Sequence, residues 1–559
     1  NLDQMKKTKT LLFSLLVFSF HSFAQQWGNY TLYSVQNSST TYLIDTNNTV
    51  YHTWTHATSD KTGYSSYLMP DKTLWRTVKT STSLNGGGIT GKVQKVDWNG
   101  TVLWNFTYSS STYCMHHDIC PLPNGNVLLI SYDVRTAAES AAAGRTASGS
   151  VWSEKIIEVK PTGATTGDIV WEWKLWDHLV QNVDPAKSNY QTSISEHPEL
   201  LNINYNSTAQ DWVHMNGIDY NPMLDQIVFS SHFLNQWFVI DHSTSIAEAA
   251  SHTGGFAGKG GDFLYRYGNP TSYGMTGSTV LNVTHDAHWI PEGCPDAGRL
   301  VGFNNAGISN QQSAVDQVNV PLNGYNYNLT PGQAYAPFIY DERLACNGST
   351  SNMGNSQQLP NGNALVCMAM QGLIYEVDPN GTTIWSKSTT GTVAQAFRYS
   401  DCYVNGTNIP IPTITEANNV LTSSPADTYQ WYLNGQAIPG ATSQSYTPTA
   451  NGIYVVKTMD NTACFKQYST SYSYVNTADV TEINGTSLSI YPNPSLNGHF
   501  VIQSSMLESY DVVNMLGQLL LQNASSSEID LSNQLNGIYL IRMHLTNGQT
   551  LTKRLIISK

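Results

Sequence analysis

The chain has 559 residues, a formal net charge of −13 and only 27 lysines and arginines. This length is too great for one compact core, so several domains are expected. The acidic balance, without a basic run, argues against a nucleic-acid groove or an anionic-membrane patch. Charged residues make up only 12% of the chain, and turn-forming and aromatic residues recur at short intervals, which is typical of an extracellular all-β protein.

A secretion signal is predicted at residues 5–24. Met5 opens it, lysines give it a positive end, residues 11–20 form its apolar core, and small residues precede a cleavage site after Ala24. The mature chain is therefore expected to begin near Gln25. No later apolar run is long enough to cross a bilayer, so no transmembrane segment is predicted.

Two strand patterns alternate over residues 25–404. One is strand, turn, strand, as in residues 119–131; the other is an apolar strand, a polar turn and a strand with an aromatic residue, as in 93–104 and 374–385. Pairing them gives five four-stranded modules, and units left over at the two ends complete a sixth. This predicts an all-β, six-bladed β-propeller whose closure removes open sheet edges. Two unrelated β-sandwiches are the alternative, and they leave the regular repeat unexplained.

Some copies of the second pattern are looser. They span residues 238–267 and, weakly, 318–340. Insertions at 137–150 and 245–261 are rich in small residues and are expected to form loops over one face of the ring.

Three repeats carry a histidine at a matched position. His117, His214 and His285 each stand seven residues before the turn of their repeat. Equivalent points of a radial repeat lie on a ring, so the three imidazoles are expected to face one another around the axis. A single such histidine is more readily a hydrogen-bonded structural residue, but the matched spacing favours a functional site.

Residues near these histidines add to the predicted ring. Asp118 and Asp286 each follow a histidine directly and are expected to fix its tautomer. Asn216, two residues after His214, is expected on the same strand face. His116 and His288 are weaker candidates. Five other histidines lack the matched position and are expected on the surface or in loops: His52, His56, His178, His242 and His252.

Three chemistries suit a ring of imidazoles. It could bind zinc or copper, exchange protons as acid and base, or offer one imidazole as a nucleophile. A group-transfer enzyme, a metal-dependent enzyme and a non-catalytic surface propeller that binds glycans or protein partners all remain open at this point. No phosphate-cradling glycine-rich loop for a nucleotide is visible.

Two further domains follow the repeats. Alternating strands around Trp431 predict an immunoglobulin-like domain at residues 408–477. Residues 485–559 resemble the C-terminal sorting domain of type IX secretion cargo, which implies export by that machinery to the cell surface or beyond. Seven cysteines leave at least one unpaired, and Cys114 and Cys120 are either a local bridge or free thiols.

Residues 27–402 resemble the arylsulfotransferase family, the six-bladed bacterial aryl-sulfate sulfotransferases. The segments that carry the resemblance are 115–125, 211–220 and 285–293, with support from 261–270, 359–362 and 397–398. The resemblance implies aryl sulfates and phenols as small-molecule substrates, with no metal and no cofactor.

The resemblance also implies residue roles. His285 attacks the sulfur and is transiently sulfurylated before a phenol takes the group. His117 and His214 stabilise the sulfate and handle the phenolic proton, Asn216 donates to a sulfuryl oxygen, and Arg398 adds positive charge.

One position departs from the family pattern. Where the family often has Ser-Ser-Arg, this chain has His232 after two serines. An imidazole cannot replace the permanent charge and two-point grip of a guanidinium. His232 is expected to bind substrate. Either Arg266 or Arg398 compensates as a further substrate-binding residue, or this chain has drifted from sulfuryl transfer.

Overall fold

A computed structural model describes residues 26–206, 208–309, 311–474, 489–493, 495, 497–504, 506–514 and 518–557. The predicted signal segment at residues 5–24 lies outside this part of the chain. None of the described helices is both long and apolar enough to cross a membrane.

Most of the described chain up to residue 399 forms six four-stranded antiparallel sheets. The strands of each sheet are given below in order, starting from the end strand that borders the axial cavity, and that strand is called the first strand. The first three sheets contain Ala396–Tyr399, Tyr30–Ser34, Thr40–Asp45 and Val50–Thr55; Thr62–Leu68, Leu74–Lys79, Gly91–Val96 and Val102–Thr107; and Tyr113–Pro121, Val127–Arg135, Val151–Pro161 and Gly167–Lys174. The next three contain Met215–Asn221, Gln226–Ser231, Gln236–Asp241 and Tyr265–Tyr267; Thr284–Trp289, Leu300–Ser309, Gln312–Val318 and Glu342–Ala345; and Asn355–Gln358, Ala364–Met368, Leu373–Val377 and Thr383–Ser388.

The first strands surround a common axis. Residues from all six of them line one axial cavity of about 780 Å³. The first sheet joins the two ends of this region, because Ala396–Tyr399 pairs with Tyr30–Ser34. The all-β propeller architecture predicted from the repeats is confirmed, including the pairing of its two ends. The strand Tyr30–Ser34 itself was not predicted.

Tryptophans of the repeated unit that ends in an aromatic strand form hydrogen bonds between neighbouring sheets. Trp54, on the outer strand of the first sheet, donates its indole N–H to the Asp97 carbonyl at 3.0 Å in the next sheet. Trp104 does the same to Thr166 at 2.9 Å, and Trp385 of the last sheet reaches Thr46 of the first at 3.0 Å. These rings are nearly inaccessible to solvent. The aromatic residue of the repeat therefore combines apolar burial with a hydrogen bond between sheets.

The two looser units have different outcomes: the outer strand of the first ends where it was predicted, and the outer strand of the second lies outside its predicted segment. Gln236–Asp241 pairs with Tyr265–Tyr267, and Gln312–Val318 pairs with Glu342–Ala345, which starts after the segment predicted as the strand pair 318–340. Aromatic residues in that segment, such as Tyr335, are instead buried in a long connection.

The insertions are not purely loops. Short helices Ala137–Ala142 and Ile246–Ala249 each begin with a capping box. Further short elements are helix Asp401–Asn405, the 3₁₀ turns Leu175–Asp177, Ile194–Glu196, Pro270–Tyr273 and Ala369–Gln371, and the strand pairs Leu179–Val180 with Leu201–Asn202 and Leu322–Asn323 with Asn326–Tyr327.

Of the two alternatives for Cys114 and Cys120, a local bridge or free thiols, the structure has the free thiols. Both lie on one strand, where six residues span close to 20 Å, whereas a disulfide needs Cα atoms about 4.4–6.8 Å apart. The disulfide found joins Cys402 to Cys464. The expectation of at least one unpaired cysteine is confirmed.

The described chain divides into two compact units. The first holds the propeller together with residues 421–446 and 452–473, and the second holds 417–420, 447–451 and residues from 474 onward. Trp431 is fully buried in the first unit, as expected, while the immunoglobulin-like assignment stays a prediction. Strands between the propeller and residue 474 are Ile414–Ala417, Val420–Ser423, Thr428–Leu433, Gln436–Ala437, Ser445–Tyr446, Gly452–Met459, Lys466–Tyr468 and Tyr472–Tyr474. Strands of the C-terminal region are Ser489–Tyr491, His499–Gln503, Leu507–Asn514, Leu519–Ala524, Glu528–Asp530, Gly537–Leu545 and Thr550–Ile557.

Candidate active site

Five imidazoles form a continuous group that we call the histidine cluster: His116, His117, His214, His232 and His285. The ring centres of His117 and His214 are 4.7 Å apart. His232 joins the predicted residues, with ring centres 5.3 Å from His214 and 5.4 Å from His285. The structure therefore brings the three predicted histidines into one group, and His232 lies between two of them.

Backbone irregularities aim these side chains. His117 and His214 adopt left-handed φ values of 49° and 55°. The strand register shifts around His117 and, in the fourth sheet, between Met215 and Gly217, just after His214. Each such residue other than glycine costs about 1–3 kcal/mol and is found where surrounding structure enforces it. In the fifth sheet the left-handed residue is Asp286, with φ 58°, one position after His285. The three histidines are therefore equally spaced in sequence, but the backbone conformation at His285 differs from that at His117 and His214.

The tautomer of His285 is fixed by its neighbours. Asn305 donates its amide N–H groups to the carbonyls of Thr350 and Met353, at 2.8 and 2.7 Å, so its oxygen faces His285. His285 Nδ1 lies 2.7 Å from that oxygen and must carry the ring proton. Its Nε2 accepts from the Met353 N–H at 3.1 Å. Burial holds the pKa of His285 well below its usual range, so a neutral ring keeps a lone pair on Nε2.

His214 is paired with a carboxylate. Its Nδ1 lies 2.6 Å from Asp211 Oδ2, and the Tyr132 hydroxyl lies 3.1 Å from the same oxygen. A carboxylate in this position orients an imidazole and stabilises it when it gains a proton. Asp211 therefore holds the His214 ring in place between His117 and His232.

His117 ends a buried chain of proton-exchanging groups. Its Nδ1 lies 2.8 Å from His116 Nδ1, and His116 Nε2 lies 2.9 Å from Glu154 Oε2. The other carboxyl oxygen of Glu154 accepts from the Met215 N–H at 2.9 Å. Burial raises the pKa of Glu154 well above its usual range and lowers the pKa of His116 to about 3, so the pair is neutral. Glu154 then donates to His116, His116 donates to His117, and His117 presents an N–H at Nε2.

A glycine segment covers two of the rings. A Cβ on Gly88 would lie 2.1 Å from Cε1 of His117, and one on Gly87 would lie 2.5 Å from Cε1 of His214. Gly88 also has a φ of 62°. Only glycine allows the backbone to approach the imidazoles this closely.

His232 has unused hydrogen-bonding capacity. Its Nδ1 is buried, and no partner for it is found among the described residues. Burial and the neighbouring His214 lower the pKa of His232 to about 4, so the ring is neutral. It can donate to or accept from a bound molecule, but it does not supply the charge of an arginine.

Asp118 and Asp286 do not orient the neighbouring histidines, which corrects the expectation from sequence. Adjacent residues on a strand point to opposite faces. Asp118 accepts from Tyr67 at 2.7 Å, and Asp286 accepts from the Ser356 N–H at 2.9 Å. Both line the axial cavity, together with His288, whose pKa rises to about 9 despite burial because Asp286 and other carboxylates stabilise its charge. None of the five cluster residues is part of that cavity wall.

The amide of Asn216 is already occupied. Its Nδ2 donates to the Thr284 carbonyl at 2.8 Å, and its oxygen accepts from Ser230 at 2.6 Å. The strand shifts register at this residue, so the simple alternation that placed it beside His214 fails. The predicted donation to a sulfuryl oxygen does not fit these contacts, which join the fourth and fifth sheets.

Neither predicted arginine is brought to the cluster by the described contacts. Arg266 lies on the outermost strand of its sheet and binds the carbonyls of Pro198 and Leu200, at 3.2 and 2.9 Å. Arg398 forms a fully buried ion pair with Glu376 at 2.9 Å. The expected compensation for His232 is therefore not seen.

Replacing Arg398 by methionine should destabilise the protein rather than weaken substrate binding. Removing one partner of a buried ion pair leaves the other charge unpaired, which costs about 3–5 kcal/mol. Urea unfolding should show this loss, and the double variant with Glu376→Gln should recover much of it. A large rise in KM for an aryl sulfate at unchanged stability would contradict this structural role.

Two histidines expected on the surface or in loops, His56 and His178, are in fact buried, and His242 is partly buried. His178 bonds Asp262, and His242 lies between Asp225 and Glu158 at 2.7 and 3.1 Å. Their carboxylate partners are distant in sequence, so spacing gave no sign of them.

Comparison with known proteins decides the family. The family model described as arylsulfotransferase (ASST) matches residues 24–401, which is more than half of the chain. The chain belongs to the arylsulfotransferase family. A second model, of the secretion system C-terminal sorting domain, matches residues 489–558. This family member therefore carries a type IX secretion sorting domain and is exported to the cell surface or secreted.

Solved structures resemble this arylsulfotransferase only distantly. A protein of unknown function from Bacteroides caccae is 10% identical, with 66% of this chain and 98% of that chain covered and a TM-score of 0.37. The periplasmic gluconolactonase of Pseudomonas aeruginosa is 10% identical, with coverages of 80% and 95% and a TM-score of 0.31. A comparison with curated proteins found no match.

Several residues of the candidate site in this arylsulfotransferase escaped sequence reasoning. Asp211 lies within a segment that carries the family resemblance, and the three consecutive glycines ending at Gly88 are themselves a visible signal. Glu154 and Asn305 lie on strands far from the histidines in sequence. Only the fold shows that they hold the imidazoles.

Proposed function

We propose that this protein is a secreted aryl-sulfate sulfotransferase that moves a sulfuryl group from an aryl sulfate to a phenol through a sulfurylated His285. The observation that carries the proposal is the state of that ring. Its Nδ1 proton is held by Asn305, its Nε2 keeps a lone pair, and burial keeps it neutral. A neutral imidazole held in one tautomer is what nucleophilic attack requires. Membership of the arylsulfotransferase family supports the reaction class.

In the first half-reaction, Nε2 of His285 attacks the sulfur, and the bond from sulfur to the aryl oxygen breaks. The departing oxygen takes the Nε2 proton of His117. His116 and Glu154 each pass one proton along, so the net loss is from the Glu154 carboxyl, and no cationic imidazole forms in this chain. In this step the Met353 N–H, which otherwise bonds Nε2 of His285, turns to a sulfuryl oxygen, and the His214–Asp211 pair stabilises the departing anion.

In the second half-reaction the acceptor phenol gives its proton to His117, and the same relay returns it to Glu154. The phenol oxygen attacks sulfur, the bond between sulfur and Nε2 breaks, and His285 regains its lone pair. Both halves balance without a nucleotide or metal, because the aryl sulfate is itself an activated donor.

The proposal is tested with p-nitrophenyl sulfate. The protein should release nitrophenol, and an added phenol should speed the release while becoming sulfated. Quenching without acceptor should leave protein heavier by one sulfuryl group. No release above the buffer rate, with or without phenols, would refute the proposed reaction and leave a binding role as the better explanation.

Activity should persist at acidic pH. Attack needs neutral His285, and burial holds its pKa well below the usual histidine value near 6.5. The rate at saturating donor should therefore stay nearly level from pH 7 to about pH 5, and its acid limb should lie below the usual histidine value. A pH–rate profile that halves near pH 6.5, while circular dichroism shows the protein still folded, would contradict the assignment of a buried neutral nucleophile.

A further inference from the structure

We propose that His178, His252 and Asp262 form a binding site for one zinc-like divalent cation. Nothing in the proposed sulfuryl transfer uses these residues. Asp262 and His252 belong to the region around the 245–261 insertion, and His178 follows the 3₁₀ turn Leu175–Asp177. The site would join two segments that are far apart in sequence.

The three ligand atoms already converge. Nδ1 of His178 and Nδ1 of His252 each lie 2.8 Å from the same oxygen, Asp262 Oδ1. All three atoms lie within 4.8 Å of one another. A tetrahedral zinc ion, with bonds of about 2.0–2.2 Å, holds its ligand atoms about 3.3 Å apart. Small side-chain movements would therefore admit the ion.

The hydrogen bonds of His178 leave one ring nitrogen facing the site. Its Nε2 lies 2.8 Å from the carbonyl oxygen of Ala249, which can only accept, so Nε2 must carry a proton. Nδ1, the other ring nitrogen, faces the carboxylate of Asp262 at 2.8 Å and is the atom that would bind the ion. An imidazole that binds metal through one nitrogen and donates to a carbonyl from the other has the usual arrangement of a metal ligand.

Part of the site is rigid and part is open. His178 is fully buried, with its ring stacked on Trp173 at 5.6 Å. A Cβ on Gly261 would lie 2.6 Å from its Nε2, so glycine is required beside it. The His252 side chain is 61% exposed and leaves a path from solvent. Two imidazoles and one carboxylate suit zinc better than calcium, which prefers oxygen ligands, and water would complete the coordination.

The experiment is calorimetric titration of chelator-stripped, tag-free protein with Zn²⁺. The wild type should bind one equivalent of zinc. His252→Ala and Asp262→Asn should each bind it at least about tenfold more weakly. His252 is exposed, so its replacement should leave the fold intact. His197→Ala is the matched control, because His197 also pairs with a carboxylate, Glu199 at 2.9 Å, and should bind zinc like the wild type.

A second arm separates this site from the histidine cluster. His285→Asn should retain the zinc equivalent, and zinc should slow protease cleavage within residues 245–261 in the wild type but not in His252→Ala. Equal zinc uptake and equal cleavage by the wild type and His252→Ala would overturn the proposal. His178 would then be a protonated imidazole paired with Asp262.

Discussion

Replacing His285 by asparagine is expected to lower sulfuryl transfer by at least about 10³-fold, as loss of a nucleophile does in enzymes that form covalent intermediates. The asparagine amide can still accept from the Met353 N–H, but it offers no nucleophilic nitrogen. Steady-state release of nitrophenol measures the loss. Retention of even a tenth of the wild-type rate would exclude His285 as the nucleophile.

The mass of the quenched protein gives a second readout of the same substitution. Wild type incubated with donor alone should gain one sulfuryl group, and peptide mapping should place it on His285. His285→Asn should gain none. The control His197→Asn, at a partly exposed histidine paired with Glu199, should behave as wild type in both rate and mass. Labelling of His285→Asn at another histidine would move the role to that residue.

The propeller could be predicted because its signals are local. Each strand pair has its own turn and its own alternation, and the repeat shows where units left over at the ends must meet. Prediction failed where a long connection carries aromatic residues. Tyr325 and Tyr335 resemble strand residues in sequence, yet they are buried outside any strand, in the connection before Glu342–Ala345. Burial requires apolar surface, and it does not by itself require a strand.

The grouping of His117, His214 and His285 could be predicted from spacing, but their partners could not. Spacing suggested Asp118 and Asp286, because these are adjacent in sequence. Strand geometry turns adjacent side chains to opposite faces, so those carboxylates line the axial cavity instead. The groups that set the tautomers come from other strands, and no local pattern reports a contact made only on folding.

The same reason explains why the contacts of the arginines could not be predicted. The family resemblance implied that Arg398, on a first strand, adds positive charge to the site. Its charge is instead paired with Glu376 on the third strand of the neighbouring sheet. A buried guanidinium needs such a partner, and sequence alone does not show where the partner lies.

The second large expected effect concerns the proton relay from Glu154 through His116 to His117. Glu154→Gln should lower turnover of a poor donor such as phenyl sulfate by about 10²–10⁴-fold, the usual contribution of general acid–base catalysis. Glutamine can keep both hydrogen bonds of this side chain, accepting from Met215 and donating to His116. It cannot lose a proton, so His117 no longer has a supply for the departing oxygen.

Dependence on the leaving group distinguishes this role from a structural one. Nitrophenolate is stable without a proton, so sulfurylation by p-nitrophenyl sulfate should be impaired much less than sulfurylation by phenyl sulfate. Single-turnover rates for a series of aryl sulfates should therefore fall more steeply with leaving-group pKa in Glu154→Gln than in the wild type. A variant that merely disturbs the fold would slow all donors by the same factor, because misplacement of the cluster does not depend on the donor. Equal losses across the series, at unchanged thermal stability, would remove Glu154 from the proton path and leave His117 as a hydrogen-bond donor only.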